Sequence, residues 1–68
     1  MIIENETRFR YPDPFEATDL ISVTVLDNRW DIYFNSKSIS SDDYNLRHIQ
    51  EMINLLQAAY DEIKSRTI

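Results

Sequence analysis

The chain has no cysteine and no glycine, and among its 68 residues there are only two prolines, one histidine and one tryptophan. Without cysteine a disulfide framework is excluded, and a single histidine, His48, cannot build a structural zinc site. No stretch approaches the ~20 continuous apolar residues of a membrane-spanning helix. The first residues, Met1-Ile2-Ile3-Glu4-Asn5-Glu6, lack the basic and then apolar segments of a secretion signal. A cytoplasmic chain with no membrane partner is therefore expected. Positive charge is also scarce: 7 basic side chains stand against 12 acidic ones, for a net charge of -5. Binding to nucleic acid is driven by Lys and Arg displacing counterions, so nucleic acid is not the expected partner.

Catalytic sets are equally hard to assemble. Serines are plentiful, but a second histidine, a glycine-rich elbow and a phosphate loop are all missing. The acid pairs Asp42-Asp43 and Asp61-Glu62 point about 100° apart on a helix and do not converge on one atom. His48 with Glu51 at i+3 is one edge of a site at most and reads as a helix-surface pair. The chain is expected to be no enzyme and to hold neither cofactor nor metal.

Apolar residues make up 43% of the chain, close to the globular average, so it is expected to fold as one domain. The prolines lie together in Tyr11-Pro12-Asp13-Pro14-Phe15 and mark a turn. Before it, Thr7, Phe9 and Tyr11 alternate with Arg8 and Arg10, the period of a half-buried strand, at about residues 6–11. Two more alternating runs, 20–26 and 29–35, flank Asp27-Asn28 and predict a hairpin with a two-residue loop and a positive-φ residue in it. Setting Leu26 opposite Arg29 pairs Val25 with Trp30, Val23 with Ile32 and Ile21 with Phe34, which gathers these six side chains on one face.

Ser40 or Ser41 is the expected cap of a helix over about 42–66, with Asp42 and Asp43 at its positive end and Lys64 and Arg66 at its negative end. On that helix Leu46, Ile49, Met52, Ile53, Leu56, Ala59, Tyr60 and Ile63 fall within an arc of about 140°. The predicted fold is α+β: a small three-stranded antiparallel sheet, made of the hairpin plus the N-terminal strand, packed on one long C-terminal helix. The predicted core comprises Trp30, Phe34, Val23, Ile32, Ile53, Leu56 and Tyr60.

A second seam, Tyr44, His48, Glu51, Leu55, Ala58 and Glu62, lines up beside the first stripe, with Ala59 next to it. It is the predicted protein interface, and Leu55→Asp is expected to spare folding while abolishing association. Glu4, Glu6, Asp13, Glu16 and Asp19 are the predicted acidic surface, able to imitate a nucleic-acid charge track. These features predict a small acidic protein-binding module that inhibits or regulates a target with a basic or apolar surface and forms a homodimer. Phage and mobile-element accessory proteins are often of this kind. Two alternatives stand beside this reading: a structural homo-oligomer subunit would bury the same seam permanently. An antitoxin-like nucleic-acid-binding regulator would use Arg8, Arg10 and Arg29 with Tyr11 and Tyr33.

Overall fold

The computed structural model describes residues 5–66. Within them the chain forms β1 (Thr7–Pro12), β2 (Asp19–Val25), β3 (Trp30–Phe34) and α1 (Leu46–Arg66). The strands make one antiparallel sheet of order β1-β2-β3. The fold is α+β, as the periodicities predict.

The hairpin register follows from alternation alone. Ile21 pairs with Phe34, Val23 with Ile32 and Val25 with Trp30, so any slip would turn the apolar set to the other face. Its loop differs from expectation in one respect: no described residue has positive φ. With no glycine available the reversal at Asp27-Asn28 is made without a left-handed residue, and it is closed by the Leu26 N–H donating to the Arg29 carbonyl at 2.8 Å.

β1 lies against β2 with Thr7, Phe9 and Tyr11 opposite Val25, Val23 and Ile21. The register shifts between Tyr11 and Pro12. Pro12 faces Asp19, leaving Leu20 as an extra residue against β1. Such a bulge re-aims a side chain, and here it brings Leu20, which strict alternation puts on the polar face, into the core at 2% exposure.

The helix begins four residues later than predicted. Ser40 closes a separate turn, its carbonyl accepting from the Tyr44 N–H at 3.0 Å and from the Asp43 N–H at 3.3 Å. Asn45 is the cap: its Oδ1 accepts from the N–H groups of Arg47 (3.0 Å) and His48 (3.3 Å), while the Asn45 N–H donates to His48 Nδ1 at 3.0 Å. This reciprocal pair satisfies orphan donors of the first turn, with imidazole in place of the usual Glu or Gln. Asp42 and Asp43 accordingly stand outside the helix, whose first turn carries no acid. No helix of the described residues is long and apolar enough to cross a membrane.

The predicted core is only partly the observed one. Val23 is fully buried, with Leu20, Ile21, Val25, Leu26, Tyr44 and Ala59. Phe9, Tyr11, Met52, Leu55, Leu56 and Ile63 pack against this cluster. Trp30, Ile32, Phe34, Ile53 and Tyr60 remain exposed. The helix lies over β1 and β2, which it contacts, and leaves β3 uncovered. Its rotation is set by polar anchors on the β1 side. Tyr11 Oη donates to Glu51 Oε1 at 2.9 Å. At the far end the Arg66 guanidinium donates to Thr7 Oγ1 (2.7 Å), the Val25 carbonyl (3.4 Å) and the Asn5 carbonyl, and it pairs with Asp27 and Glu62 at 3.3 Å. Ala59, the smallest residue of the arc, sits at the sheet and lets the helix approach closely.

Candidate functional site

Placing α1 over β1 and β2 exposes one apolar surface made of two walls. The floor is the uncovered face of β3, where Trp30 (52%), Ile32 and Phe34 (58%) share the helix side of the sheet. The upright wall is the helix flank turned toward β3, carrying Ile53 and Tyr60 at about half exposure. Between them runs a groove of about 540 Å³ lined by Trp30, Ile32, Leu56, Ala59, Tyr60, Ile63 and Lys64. Lys64 is the only charged side chain in this lining, and its ammonium lies 5.9 Å from the centre of the Tyr60 ring. Scattered exposed leucines need no explanation, whereas several large apolar side chains lining one recess mark an interaction site. A further recess of about 380 Å³, bounded by residues such as Ile39, Tyr44, Leu46 and Ile49, lies where the helix start outruns the sheet.

The predicted seam lies elsewhere. Tyr44 (6% exposed) and Ala59 (2%) are core residues, and His48 is half-buried at the helix cap. Leu55 packs against the core, so an aspartate there would bury a charge among apolar groups rather than spare the fold. Glu51 is held by Tyr11 and Glu62 by Arg66; of the seam, only Ala58 is exposed without such a role. The seam is the rim and underside of the sheet–helix contact. Of the helix stripe read as core, Ala59, Met52, Leu56 and Ile63 do meet the sheet, whereas Leu46, Ile49, Ile53 and Tyr60 are left open.

The predicted acidic surface is also divided. Glu4 lies outside the described residues. Glu6 pairs with Arg8 at 3.6 Å, and Asp19 with Arg10 at 2.7 Å. Asp13 is buried: its Oδ1 accepts from the Phe15 N–H at 2.9 Å and from Tyr44 Oη at 3.2 Å, and its Oδ2 takes the Lys37 ammonium at 2.8 Å. Glu16 lies 3.7 Å from the same ammonium. These contacts tie the Pro12–Pro14 turn to the segment before α1. The hydrogen bonds from Lys37 and from the Phe15 N–H hold the Asp13 carboxyl below its ordinary value of 3.8, and the bond to Asp13 raises Lys37 above its ordinary 10.5. Phe15 and His48 each meet the Tyr44 ring edge-on at 5.4 Å. All of the buried polar side-chain atoms described are partnered, so this cluster is a structural clasp and not a track of free charge.

Arg8 and Arg10 are occupied by their acids, and among the described residues no group of three or more His, Cys, Asp or Glu is placed to hold a metal ion. Burial, followed by the bond to Glu51, pushes the Tyr11 phenol up to about 12, which fits a fixed donor. Comparison with protein-family models, with curated proteins and with solved structures gives no significant match.

Proposed function

We propose that this chain is a non-catalytic protein-binding module whose binding surface is the open apolar face between β3 and α1, and that it acts as an inhibitor or regulator by occupying its partner. One observation carries the reading: the helix leaves Trp30, Ile32, Phe34, Ile53 and Tyr60 exposed beside a groove. Aromatic and aliphatic anchors around a recess are the usual energetic centre of a protein interface. The accessible surface agrees. It is 5380 Å², against ~4500 Å² for a folded monomer of this mass. The radius of gyration, 13.8 Å, exceeds the ~11 Å of a compact chain of this length.

Charge plays a smaller part than the composition alone implies. Among the described residues the acids of the first half are mostly held in ion pairs, which argues against a continuous negative edge for mimicry of a phosphate track.

The test is capture from a host extract on immobilised protein, comparing the natural chain with Tyr60→Lys and Ile53→Asp. Both positions are half exposed, so folding should change by no more than about 0.5 kcal/mol. Proteins retained by the natural chain through this face, a second copy of the chain included, should be lost by both variants. Identical retention by all three would remove the face from consideration.

A further inference from the structure

We propose that the occupant of the open face is a second copy of this chain, joined antiparallel along the free edge of β3 so that the sheet continues as β1-β2-β3-β3-β2-β1. This rests on the binding face proposed above and names its partner.

The edge itself carries the argument. The Leu26 N–H donates to the Arg29 carbonyl at 2.8 Å and the Asn35 N–H donates to the Leu20 carbonyl at 2.9 Å, which fixes hydrogen-bonded positions at both ends of the β2–β3 pair. Antiparallel alternation then makes Thr24 with Asp31 and Ser22 with Tyr33 the bonded pairs between them. The peptide groups of Trp30, Ile32 and Phe34 therefore point away from β2, along the open edge. The same three residues carry the apolar floor, so one partner strand satisfies their backbone and covers their side chains together. The other edge is guarded: β1 presents Arg8 and Arg10 and ends at Pro12, features that discourage strand addition. β3 has no proline and a single charge, Asp31.

A two-fold axis through Ile32 uses the whole strand. Trp30 then faces Phe34 of the second copy, Asp31 faces Tyr33, and Ile32 faces its own counterpart, with about six N–H···O bonds across the seam. An axis through Asp31 would set two carboxylates opposite each other, which is unfavourable. An axis through Tyr33 would leave Trp30 opposite Ser36, beyond the strand. The Ile32 register keeps the acids apart despite a charge of -5 on each chain. It also turns both helix flanks, with Ile53 and Tyr60, toward the central floor.

The test uses the absence of cysteine. Across the proposed axis the two Ile32 Cα atoms would lie ~5.5 Å apart, inside the ~4.4–6.8 Å range of a disulfide. Ile32→Cys and Tyr33→Cys are made in the full chain, their folding is checked by circular dichroism, and intermolecular disulfide formation is followed at equal concentration. Sedimentation equilibrium of the natural chain runs alongside. The expected result is a natural dimer at low micromolar concentration and cross-linking at least ten-fold faster for Ile32→Cys. A natural chain that is monomeric even at high micromolar concentration overturns the proposal, as does a dimer whose Tyr33→Cys variant cross-links as fast as Ile32→Cys. A monomer that still captures host proteins through Tyr60 and Ile53 would overturn the second copy as occupant and leave the binding face standing.

Discussion

Leu20 and Leu46 undergo the same chemical change when replaced by alanine, yet the structure assigns them opposite consequences. Leu20 is 2% exposed, carried into the core by the β-bulge, and Leu46 is 82% exposed at the start of α1. Leu20→Ala removes three carbons from a buried site, about 2.4 kcal/mol at ~0.8 kcal/mol each. The cavity left behind raises the loss to roughly 3–4 kcal/mol. A chain of this length has only about 3–10 kcal/mol of stability in total, and at ~4–8 °C per kcal/mol the melting temperature should fall by at least ~12 °C. Leu46→Ala should stay within about 0.5 kcal/mol, because the site is exposed and alanine is the better helix former. Urea unfolding followed by circular dichroism, at one protein concentration for both variants, gives the comparison. Equal losses at the two positions, or a loss below about 1 kcal/mol at Leu20, would refute the placement of the helix and the re-aiming of Leu20 by the bulge.

The remaining expectations concern the cap and the polar clasps. Asn45→Ala removes the acceptor for two N–H groups of the first turn and should lower stability by about 1 kcal/mol in the same urea assay, whereas Ser41→Ala should not. Because the Asp13 carboxyl is held low in the fold, its contribution is fully present above its ordinary 3.8 and is lost as pH falls. Lys37 is held high, so its contribution is present below its ordinary 10.5 and is lost as pH rises beyond it. Thermal melts across pH should show an acid-side loss that Asp13→Asn flattens. A phenol raised to about 12 should give Tyr11 a titration step near pH 12 in ultraviolet titration, and Tyr11→Phe should remove that step.

Much of the fold was legible in the sequence because it is written in period. Alternation at Ile21, Val23 and Val25 against Trp30, Ile32 and Phe34 fixes the hairpin register, since only that register gathers all six side chains. The unbroken run after Asn45 fixes the helix. What period does not fix is rotation. An apolar arc of about 140° on the helix says that one side is apolar, and not how much of it the sheet covers. Here the sheet is narrow, and Tyr11–Glu51 and the Arg66 bonds hold the helix toward β1, so that the centre of contact moves to Leu55 and Ala59. Seen in sequence, Glu51 and Arg66 are ordinary solvated charges, because the partners by which they anchor the helix lie 39 to 61 residues away. The one hint was Ala59, small enough for close approach and placed between larger apolar neighbours.

The acidic surface failed for a related reason. Asp13 between two prolines reads as an exposed turn residue, and its burial depends on Lys37 and Tyr44 arriving from 24 and 31 residues further on. Leu20 could not be placed by alternation, because the bulge that re-aims it is produced by the shift at Pro12. The candidate face was therefore present in the sequence as a list of residues, assigned to the interior.

Amide hydrogen exchange along β3, resolved residue by residue over a concentration series, tests the open edge most directly. Asp31 and Tyr33, bonded to β2, should exchange slowly at every concentration. Ile32 should exchange fast in dilute solution and slow down as the chains pair. Fast exchange at Ile32 at every concentration, or slow exchange already in the monomer, would contradict a free edge that a second copy closes.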